Sequence, residues 1–203
     1  MLEKISINAH SSIRLADEKI IYFDPYLIKE ESHDADLIFL SHDHNDHLSL
    51  EDIKKVEKES TLFVLPKSCR SSLERKNCLY LEAGEEAAID DIKIRAIPAY
   101  NNTKAFHPKE KGWLGYLLEL KGMKIYVAGD TDHNPDNEKV QCDIALLPIG
   151  GKFTMDYKEA AALAEKLAPQ FLIPTHYGAI IGSKDDVQKL RELVKCEVIE
   201  KIA

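Results

Sequence analysis

The sequence predicts an α/β fold in which helices cover the faces of β-sheets. Short apolar runs rich in branched and aromatic side chains, at residues 37–40 and 61–65, are typical of buried strands. A helix-start signal lies between the two runs, so strand, helix and strand follow one another along the chain. No linker or shift in composition divides the 203 residues, which suffice to bury a sizeable core. We therefore expect one domain over residues 1–203.

The first part of the chain predicts an antiparallel opening followed by a strand-helix-strand unit. Apolar segments, alternating in the first case, predict strands at residues 2–7, 13–15 and 20–23. The Ser-x-x-Asp sequence from Ser49 to Asp52 is a capping box, and it predicts a helix that runs to about Glu59. The residues that follow predict a strand at 61–65, a short helix at about 68–76 and a strand at 79–81.

Strands and helices continue to alternate in the second part. A Lys121-Gly122 turn between two apolar runs predicts a β-hairpin. Capping sequences that begin at Asp156 and Ser183 predict two more helices, the second of which ends at about Lys195. Strands are predicted at residues 89–97, 114–120, 123–128, 143–148, 171–174 and 197–199.

Metal-ligand side chains are concentrated just after the apolar run that ends at Leu40. Four of them lie within six residues, namely His42, His44, Asp46 and His47. Imidazole and carboxylate suit zinc, iron or manganese, and such a cluster is hard to explain as core packing. A loop at the end of a buried strand can hold these groups in place, so the segment predicts a site that supplies ligands to two adjacent metals.

Three other turns or strand ends carry side chains of the same types. Asp130 follows Gly129 where a buried strand ends, and His176 follows the strand at 171–174. If these strands have the same orientation, Asp130 reaches the same sheet edge as the histidine cluster. His10 lies in a turn between two of the opening strands, and such loops often carry function.

Composition disfavours several classes of function. The net charge of −8 and the lack of a basic arm disfavour nucleic acid as a partner and favour a small-molecule substrate. The four cysteines form no Cys-x-x-Cys pair, which agrees with free thiols in the cytoplasm. No run approaches the ~20 apolar residues of a membrane span. The oligomeric state is open, and a homo-oligomer is compatible with the sequence.

In order, spacing and strand context, the ligand-type residues resemble the metallo-β-lactamase superfamily over almost the whole chain. The matching motifs are His42-x-His44-x-Asp46-His47, Gly129-Asp130 and His176. More narrowly, the chain resembles the branch that includes ascorbate-6-phosphate lactonase and the N-acyl-phosphatidylethanolamine phospholipase D type of hydrolase. The segments that carry this narrower resemblance are residues 10–12, 23–26, 129–131 and 174–178.

The resemblance implies a four-layer αββα sandwich with a dinuclear metal site in the cleft between the sheet edges. It implies that His42 and His44 bind the first metal and that Asp130 bridges both metals. The second metal would be bound by Asp46, His47 and His176.

This sequence departs from the family at one ligand of the first metal. The family's middle histidine follows a strand that ends here near Ala99, where this chain has Tyr100 and Asn101. Either His107 reaches back from the same loop, or Asn101 binds through its carbonyl oxygen. Histidine is the better zinc donor, which favours His107.

The implied function is a metal-dependent hydrolase acting on a small phosphodiester, lactone or related ester. Two divalent metal ions, zinc by default with manganese or iron compatible, would hold a hydroxide as the nucleophile. Asp46 would accept a proton from the water, and His10 would protonate the leaving group or orient the substrate. Trp113 and Tyr177 are expected near the mouth, as substrate contacts or as packing. The alternatives are a nuclease of the same superfamily and a metal- or substrate-binding protein without turnover.

Overall fold

Two β-sheets that bury one face against each other form the centre of the structure, a computed structural model that describes residues 1–202. Ala203, the last residue of the predicted 1–203 domain, lies outside the described residues. The first sheet has six strands in chain order: β1 (Ile5–Ala9), β2 (Ser12–Ala16), β3 (Ile20–Phe23), β4 (Ala35–Phe39), β5 (Glu57–Pro66) and β6 (Cys78–Leu81).

The second sheet has seven strands, also neighbours in chain order. They are β7 (Glu86–Ile89), β8 (Ile92–Pro98), β9 (Leu114–Leu120), β10 (Met123–Val127), β11 (Ile144–Pro148), β12 (Phe171–Thr175) and β13 (Glu197–Val198). Both sheets are mixed, because β1 to β3 and β7 to β10 pair antiparallel while β3 to β6 and β10 to β13 pair parallel.

Three α-helices cover the outer faces of the sheets. They are α1 (Leu50–Val56), α2 (Tyr157–Leu167) and α3 (Lys184–Leu193). Short 3₁₀ turns lie at Leu2–Lys4, Lys67–Cys69, Lys109–Lys111 and Asn137–Lys139. Capping boxes begin α2 at Asp156 and α3 at Ser183, as their sequences predict.

The burial pattern of the strands follows from these layers. β8 alternates buried and exposed residues along most of its length, as a strand with one solvated face does. β11 is buried throughout, because the inner sheet face lies on one side and α2 on the other. One apolar cluster joins the two sheets, a second joins α2 and α3 to the second sheet, and a third joins α1 to the first sheet. The order is helix, sheet, sheet, helix, which confirms the predicted αββα sandwich.

Four predicted elements differ in detail. The strand predicted at residues 2–7 begins only at Ile5, because Leu2–Lys4 form a 3₁₀ turn. Helix α1 ends at Val56 rather than Glu59, because Glu57 already pairs with Ala35 in the sheet. The strand predicted at 89–97 is a hairpin of β7 and β8, turned at Asp90, whose left-handed φ of 53° suits a tight turn. Residues 68–76 form only a 3₁₀ turn and a bend, since they have too few buried side chains for a helical stripe.

Candidate metal centre

Metal-ligand side chains from separate loops meet at one edge of the two sheets. Strands β10 and β12 both run parallel to β11 and end at this edge, which brings the loops after them together. The residues that converge are His10 after β1, four residues after β4 (His42, His44, Asp46 and His47), His107 after β8, Asp130 after β10 and His176 after β12. The structure thus brings together the eight residues that the sequence places at or near the site.

The first donor group consists of three imidazole nitrogens. His44 Nδ1 lies 3.1 Å from His42 Nε2 and 3.2 Å from His107 Nε2. A tetrahedral metal with bonds of about 2.0–2.1 Å places its donor atoms about 3.3 Å apart. The spacing of these three nitrogens therefore fits a single metal ion.

The second donor group surrounds the carboxylate of Asp46. Its Oδ2 lies 3.3 Å from His10 Nε2, 3.6 Å from His47 Nε2 and 3.9 Å from His176 Nε2. These four donor atoms also lie close enough together to share one ion. The second group therefore has a negative charge of its own, which the first group lacks.

Asp130 stands between the two groups. Its Oδ2 lies 3.0 Å from His176 Nε2 and 3.4 Å from His47 Nε2 on one side. On the other side it lies 3.4 Å from His107 Nε2 and 3.9 Å from His42 Nε2. The other oxygen, Oδ1, is buried and has no hydrogen-bond partner. One carboxylate thus faces the donor atoms of both groups.

In three of the histidines, the ring nitrogen that faces away from the site lies beside a hydrogen-bond acceptor. His47 Nδ1 lies 2.8 Å from Asp24 Oδ2, and His107 Nδ1 lies 3.0 Å from the Phe153 carbonyl. His42 Nδ1 lies 2.9 Å from Ser41 Oγ, which itself donates to Asp24 Oδ2. A proton on each Nδ1 leaves the lone pair of Nε2 directed into the site, which is the arrangement of metal-ligating histidines.

Three of the site histidines have an uncommon backbone conformation. His10, His107 and His176 have left-handed φ angles of 55°, 57° and 56°. Such angles are uncommon for residues other than glycine and persist where the surroundings fix them. Gly150 allows the close approach of His176, because a Cβ at this glycine would lie 2.6 Å from the His176 carbonyl oxygen. These loops are therefore held in one shape that aims the ligands.

The electrostatics of the site match ligand chemistry at His42, His107 and the two carboxylates. At His47, burial opposes the charge, but the carboxylates of Asp130 and Asp24 raise the pKa well above its usual value. Burial lowers the pKa of His42 well below its usual value and also lowers the pKa of His107, so both rings are neutral at pH 7. Burial opposes the charge of Asp46, but the hydrogen bond to His10 and the proximity of His47 lower the pKa of Asp46 to about 2. Burial likewise opposes ionisation of Asp130, but His176 and His47 hold its pKa well below the usual value. Neutral imidazoles and ionised carboxylates are the forms that bind metals.

Asn101, the alternative to His107, forms the base of the same loop. Its backbone N–H donates to the His107 carbonyl at 2.8 Å. Its side-chain amide donates to the carbonyls of Phe106 and Phe153 at 2.8 Å and 2.7 Å. Asn101 thus closes the loop that presents His107, while its buried Oδ1 has no hydrogen-bond partner.

Several supporting residues could not be assigned from the sequence. Trp113 packs its ring 4.8 Å from those of His42 and His44, as part of the wall behind the first group. Tyr177 is fully buried in the apolar cluster around α2 and α3, so it is packing rather than a contact at the mouth. Asp24 lies in one of the segments that carry the narrower resemblance, but the sequence does not show which ligands it holds in place.

A cavity of about 360 Å³ opens onto the two donor groups. It is lined by Tyr26, His44, Asn45, Asp46, Phe106, His107, Asp130, Phe153, His176 and Ile180. A depression beside α2 and β13 is larger, at about 580 Å³, but its lining lies away from the histidines. Ligand donors and a cavity of substrate size therefore coincide at the sheet edge.

Residues 4–176 match the family model of a β-lactamase superfamily domain. Together with the αββα fold and the paired donor groups, this match decides the family. This chain belongs to the metallo-β-lactamase superfamily.

Relatives of this superfamily member match along nearly their whole length. The UPF0173 metal-dependent hydrolase of Thermococcus onnurineus (strain NA1) is 32% identical over 213 residues, covering 97% of this chain and 95% of that one. A crystal structure from Parabacteroides distasonis ATCC 8503, proposed to be a metal-dependent hydrolase, is 30% identical with a TM-score of 0.85, over 97% and 91% of the two chains. Igni18, a metallo hydrolase of Ignicoccus hospitalis KIN4/I, is 24% identical with a TM-score of 0.79, over 98% and 95%.

These relatives confirm the predicted enzyme class, a metal-dependent hydrolase. The narrower branch stays a prediction, as do zinc, the cytoplasmic location and the possible homo-oligomer. Among the helices in residues 1–202, none has the length and apolar character needed to cross a membrane.

Proposed function

We propose that this metallo-β-lactamase superfamily member hydrolyses a small phosphodiester, lactone or related ester at a dinuclear metal site. The first metal would be held by His42, His44 and His107, and Asp130 would bridge to the second. The second metal would be held by Asp46, His47 and His176. The observation that carries this assignment is the single oxygen, Asp130 Oδ2, within 3.9 Å of donor atoms from both groups.

The chemistry that two bound divalent ions supply is polarisation of the scissile carbonyl or phosphoryl oxygen and a lowered pKa of water. Zinc is the default for this donor set, and manganese or iron is compatible with it. The fit is supported by the donor spacings and by the buried, unpartnered His47 Nε2 and Asp130 Oδ1.

Asp46 is the carboxylate that both lines the cavity and faces the second donor group. Its side chain is 24% exposed, so a water in the cavity can reach it. With its pKa lowered to about 2, Asp46 is ionised at neutral pH but is a weak base. We therefore assign it the role of accepting a hydrogen bond from the attacking water and orienting it, with proton transfer only as the water reacts.

His10 is fully buried behind the cavity wall. Its Nε2 lies 3.3 Å from Asp46 Oδ2, and its ring lies 3.7 Å from that of His176. Its carbonyl also accepts a hydrogen bond from the His176 N–H at 2.9 Å. Contact with two ligands, but not with the cavity, supports a positioning role for His10 rather than proton donation to the leaving group.

The test combines metal content with turnover. Purified chain is stripped with a chelator, reloaded with Zn²⁺, Mn²⁺ or Fe²⁺, and assayed on chromogenic phosphodiesters, esters and lactones. We expect two ions per chain and turnover of at least one class, and Asp130→Asn should lower metal content and abolish most turnover. Asp185→Asn, the same change on the exposed side of α3, is the matched control.

If the metal-loaded chain hydrolyses none of these substrates, a metal- or substrate-binding protein without turnover becomes the better-supported function. A full metal complement in Asp130→Asn would remove Asp130 as the bridge. The nuclease alternative gains no support from the cavity, whose lining residues include neither lysine nor arginine.

A further inference from the structure

One part of the cavity lining is apolar. It is formed by Tyr26, Phe106, Phe153 and Ile180, which come from four separate loops. Phe106 and Phe153 pack edge to face with ring centroids 4.7 Å apart. This wall, the apolar rim, lies directly beside Asp46 and the histidines that would hold the metals.

Two residues of the apolar rim are unusually exposed. Phe106 is 45% exposed and Ile180 is 51% exposed. Among the described residues, only five large apolar side chains are exposed, so two of the five lie at this one cavity. Exposed apolar side chains grouped at a pocket indicate a surface that becomes buried when a ligand binds.

The rim is fixed to the metal site by the backbone of Phe153. The Phe153 carbonyl accepts hydrogen bonds from His107 Nδ1 and from the Asn101 amide. The ring and the carbonyl of one residue therefore set the distance between the rim and a metal ligand. A substrate whose apolar group packs on the rim would therefore have its adjoining reactive group over the donor groups.

Among the described residues that line the cavity, none is a lysine or an arginine that could hold a phosphate. Its lining side chains are neutral or acidic apart from the histidines. Lys104 is paired with Asp132 and Glu159, and the ammonium of Lys152 lies over the Phe153 ring at 5.1 Å. Sites that recognise phosphate groups normally present arginine or lysine as hydrogen-bond donors. Beyond the metals themselves, a phosphorylated substrate would find no such partner here.

Building on the proposed function, we propose that the substrate is an uncharged ester or lactone with an apolar acyl or aryl group that packs on the apolar rim. In the reaction, the oxygen of water bonds to the carbonyl carbon and the bond to the leaving oxygen breaks. One proton of the water ends on the leaving alcohol, and the carboxylic acid product loses the other to solvent. When the substrate is a lactone, the alcohol and the carboxylic acid are the two ends of a single hydroxy acid.

The volume of the cavity limits the size of this substrate. A cavity of 360 Å³ accommodates about 12 non-hydrogen atoms if each takes about the 30 Å³ of a water molecule. An octanoyl group with its two ester oxygens has about ten such atoms, so the cavity can hold the acyl part of the substrate while the leaving group stays outside it. Burial of one methylene group is worth about a fourfold change in an equilibrium or rate ratio. We therefore expect kcat/KM to rise about fourfold for each methylene added to the acyl chain and to level off near octanoate.

The experiment uses metal-loaded full chain and a series of p-nitrophenyl esters from acetate to decanoate, alkyl-substituted lactones, bis-p-nitrophenyl phosphate and a phosphorylated lactone. Wild type should prefer octanoate to acetate, and neutral esters to both phosphorylated compounds. Phe106→Ala and Ile180→Ala should each lower the octanoate-to-acetate ratio by about tenfold. Leu193→Ala, an equally exposed apolar residue at the end of α3, should leave the ratio and the basal turnover unchanged.

Two outcomes overturn the inference while leaving the proposed function intact. One is a preference for the phosphodiester or the phosphorylated lactone, with a selective loss of that activity in Lys152→Ala. The other is an octanoate-to-acetate ratio that Phe106→Ala and Ile180→Ala do not change.

A binding measurement separates the inference from the proposed function. N-methyl alkanamides, from the acetamide to the octanamide, are neutral analogues of the acyl part of the esters that are not readily hydrolysed, and calorimetry reports their affinity without turnover. Affinity that rises with alkyl length in wild type, but not in Phe106→Ala, supports the apolar rim even if the turnover panel fails. Affinity that is independent of alkyl length overturns the rim as a substrate subsite, even if the chain hydrolyses esters.

Discussion

The two donor groups of this metal centre share Asp130 but differ in charge. The first group consists of three imidazoles and has no carboxylate of its own. The second contains the Asp46 carboxylate, and its His47 is hydrogen-bonded to the buried Asp24. Each nearby carboxylate attracts a divalent cation strongly in a buried site. The second group is therefore the one expected to bind its ion more tightly.

The groups also differ in what holds their ligands in place. His176 follows β12 directly, inside the parallel part of the second sheet. His107, by contrast, lies in the loop between β8 and β9, and it is positioned by the turn that Asn101 closes. The position of His107 therefore depends on the contacts of one loop, whereas that of His176 depends on a strand of the sheet. The charge of Asp46 and the sheet that positions His176 both predict that the second group binds its ion first.

The largest expected effect is at Asp46. Asp46→Asn keeps the shape of the side chain but removes the charge that distinguishes the second group. We expect metal affinity at this group to fall by more than about 100-fold, beyond the 10–100-fold that is typical of residues behind the ligands. Competition with a chelator, followed by elemental analysis, measures the two affinities separately.

Asp43→Asn is the matched control for this change. Asp43 lies in the same loop, is exposed, and accepts a hydrogen bond from Ser72 Oγ at 2.7 Å. It should bind metal as wild type does. If the affinity for the more tightly bound ion were the same in Asp46→Asn as in Asp43→Asn, the order of filling proposed for the two groups would be wrong.

The contrast between the groups also explains what could be predicted from the sequence. The ligands of the second group follow strands whose apolar runs are easy to recognise, and His47 lies in a dense local motif. The third ligand of the first group was ambiguous, because two residues of one polar loop could reach the site. Which of them does so depends on the left-handed turn at His107, which is set by tertiary contacts rather than by local sequence.

The next prediction, with a somewhat smaller effect, tests whether His107 or Asn101 is the third ligand of the first group. His107→Ala should lower the affinity of the first group by about 100-fold, because a proposed ligand is lost. Asn101→Ala should lower it by about tenfold, because only the loop that orients His107 is loosened. Titration with Co²⁺, followed by its visible absorption, reports both the affinity and the number of nitrogen ligands.

His133→Ala controls for the loss of a loop histidine, since His133 Nε2 lies 2.7 Å from the Glu138 carboxylate instead of facing the donor groups. It should leave the titration unchanged. A larger loss in Asn101→Ala than in His107→Ala would instead make the Asn101 carbonyl oxygen the ligand.

Other features had no signal that a single sequence can supply. The apolar rim combines side chains from four loops, and no local pattern of the sequence indicates that these loops meet. Asp24 is recognisable only once Ser41 and His47 are seen to bond to it. The single strand predicted at residues 89–97 runs across the turn between β7 and β8, because this turn consists of two aspartates rather than glycine. In each case, the deciding contact joins residues far apart in the chain or depends on one backbone angle.

The smallest expected effect is at His10, which touches the second group without lining the cavity. His10→Phe fills the same space but cannot bond to Asp46, whereas the amide of His10→Gln can donate to it. We expect kcat to fall about 10-fold or more in His10→Phe, with KM near wild type, and to recover in part in His10→Gln. Thermal unfolding of both variants tests whether the fold is kept. An unchanged kcat in His10→Phe would mean that His10 only fills space behind Asp46, whereas a raised KM with unchanged kcat would mean that it contacts the substrate after all.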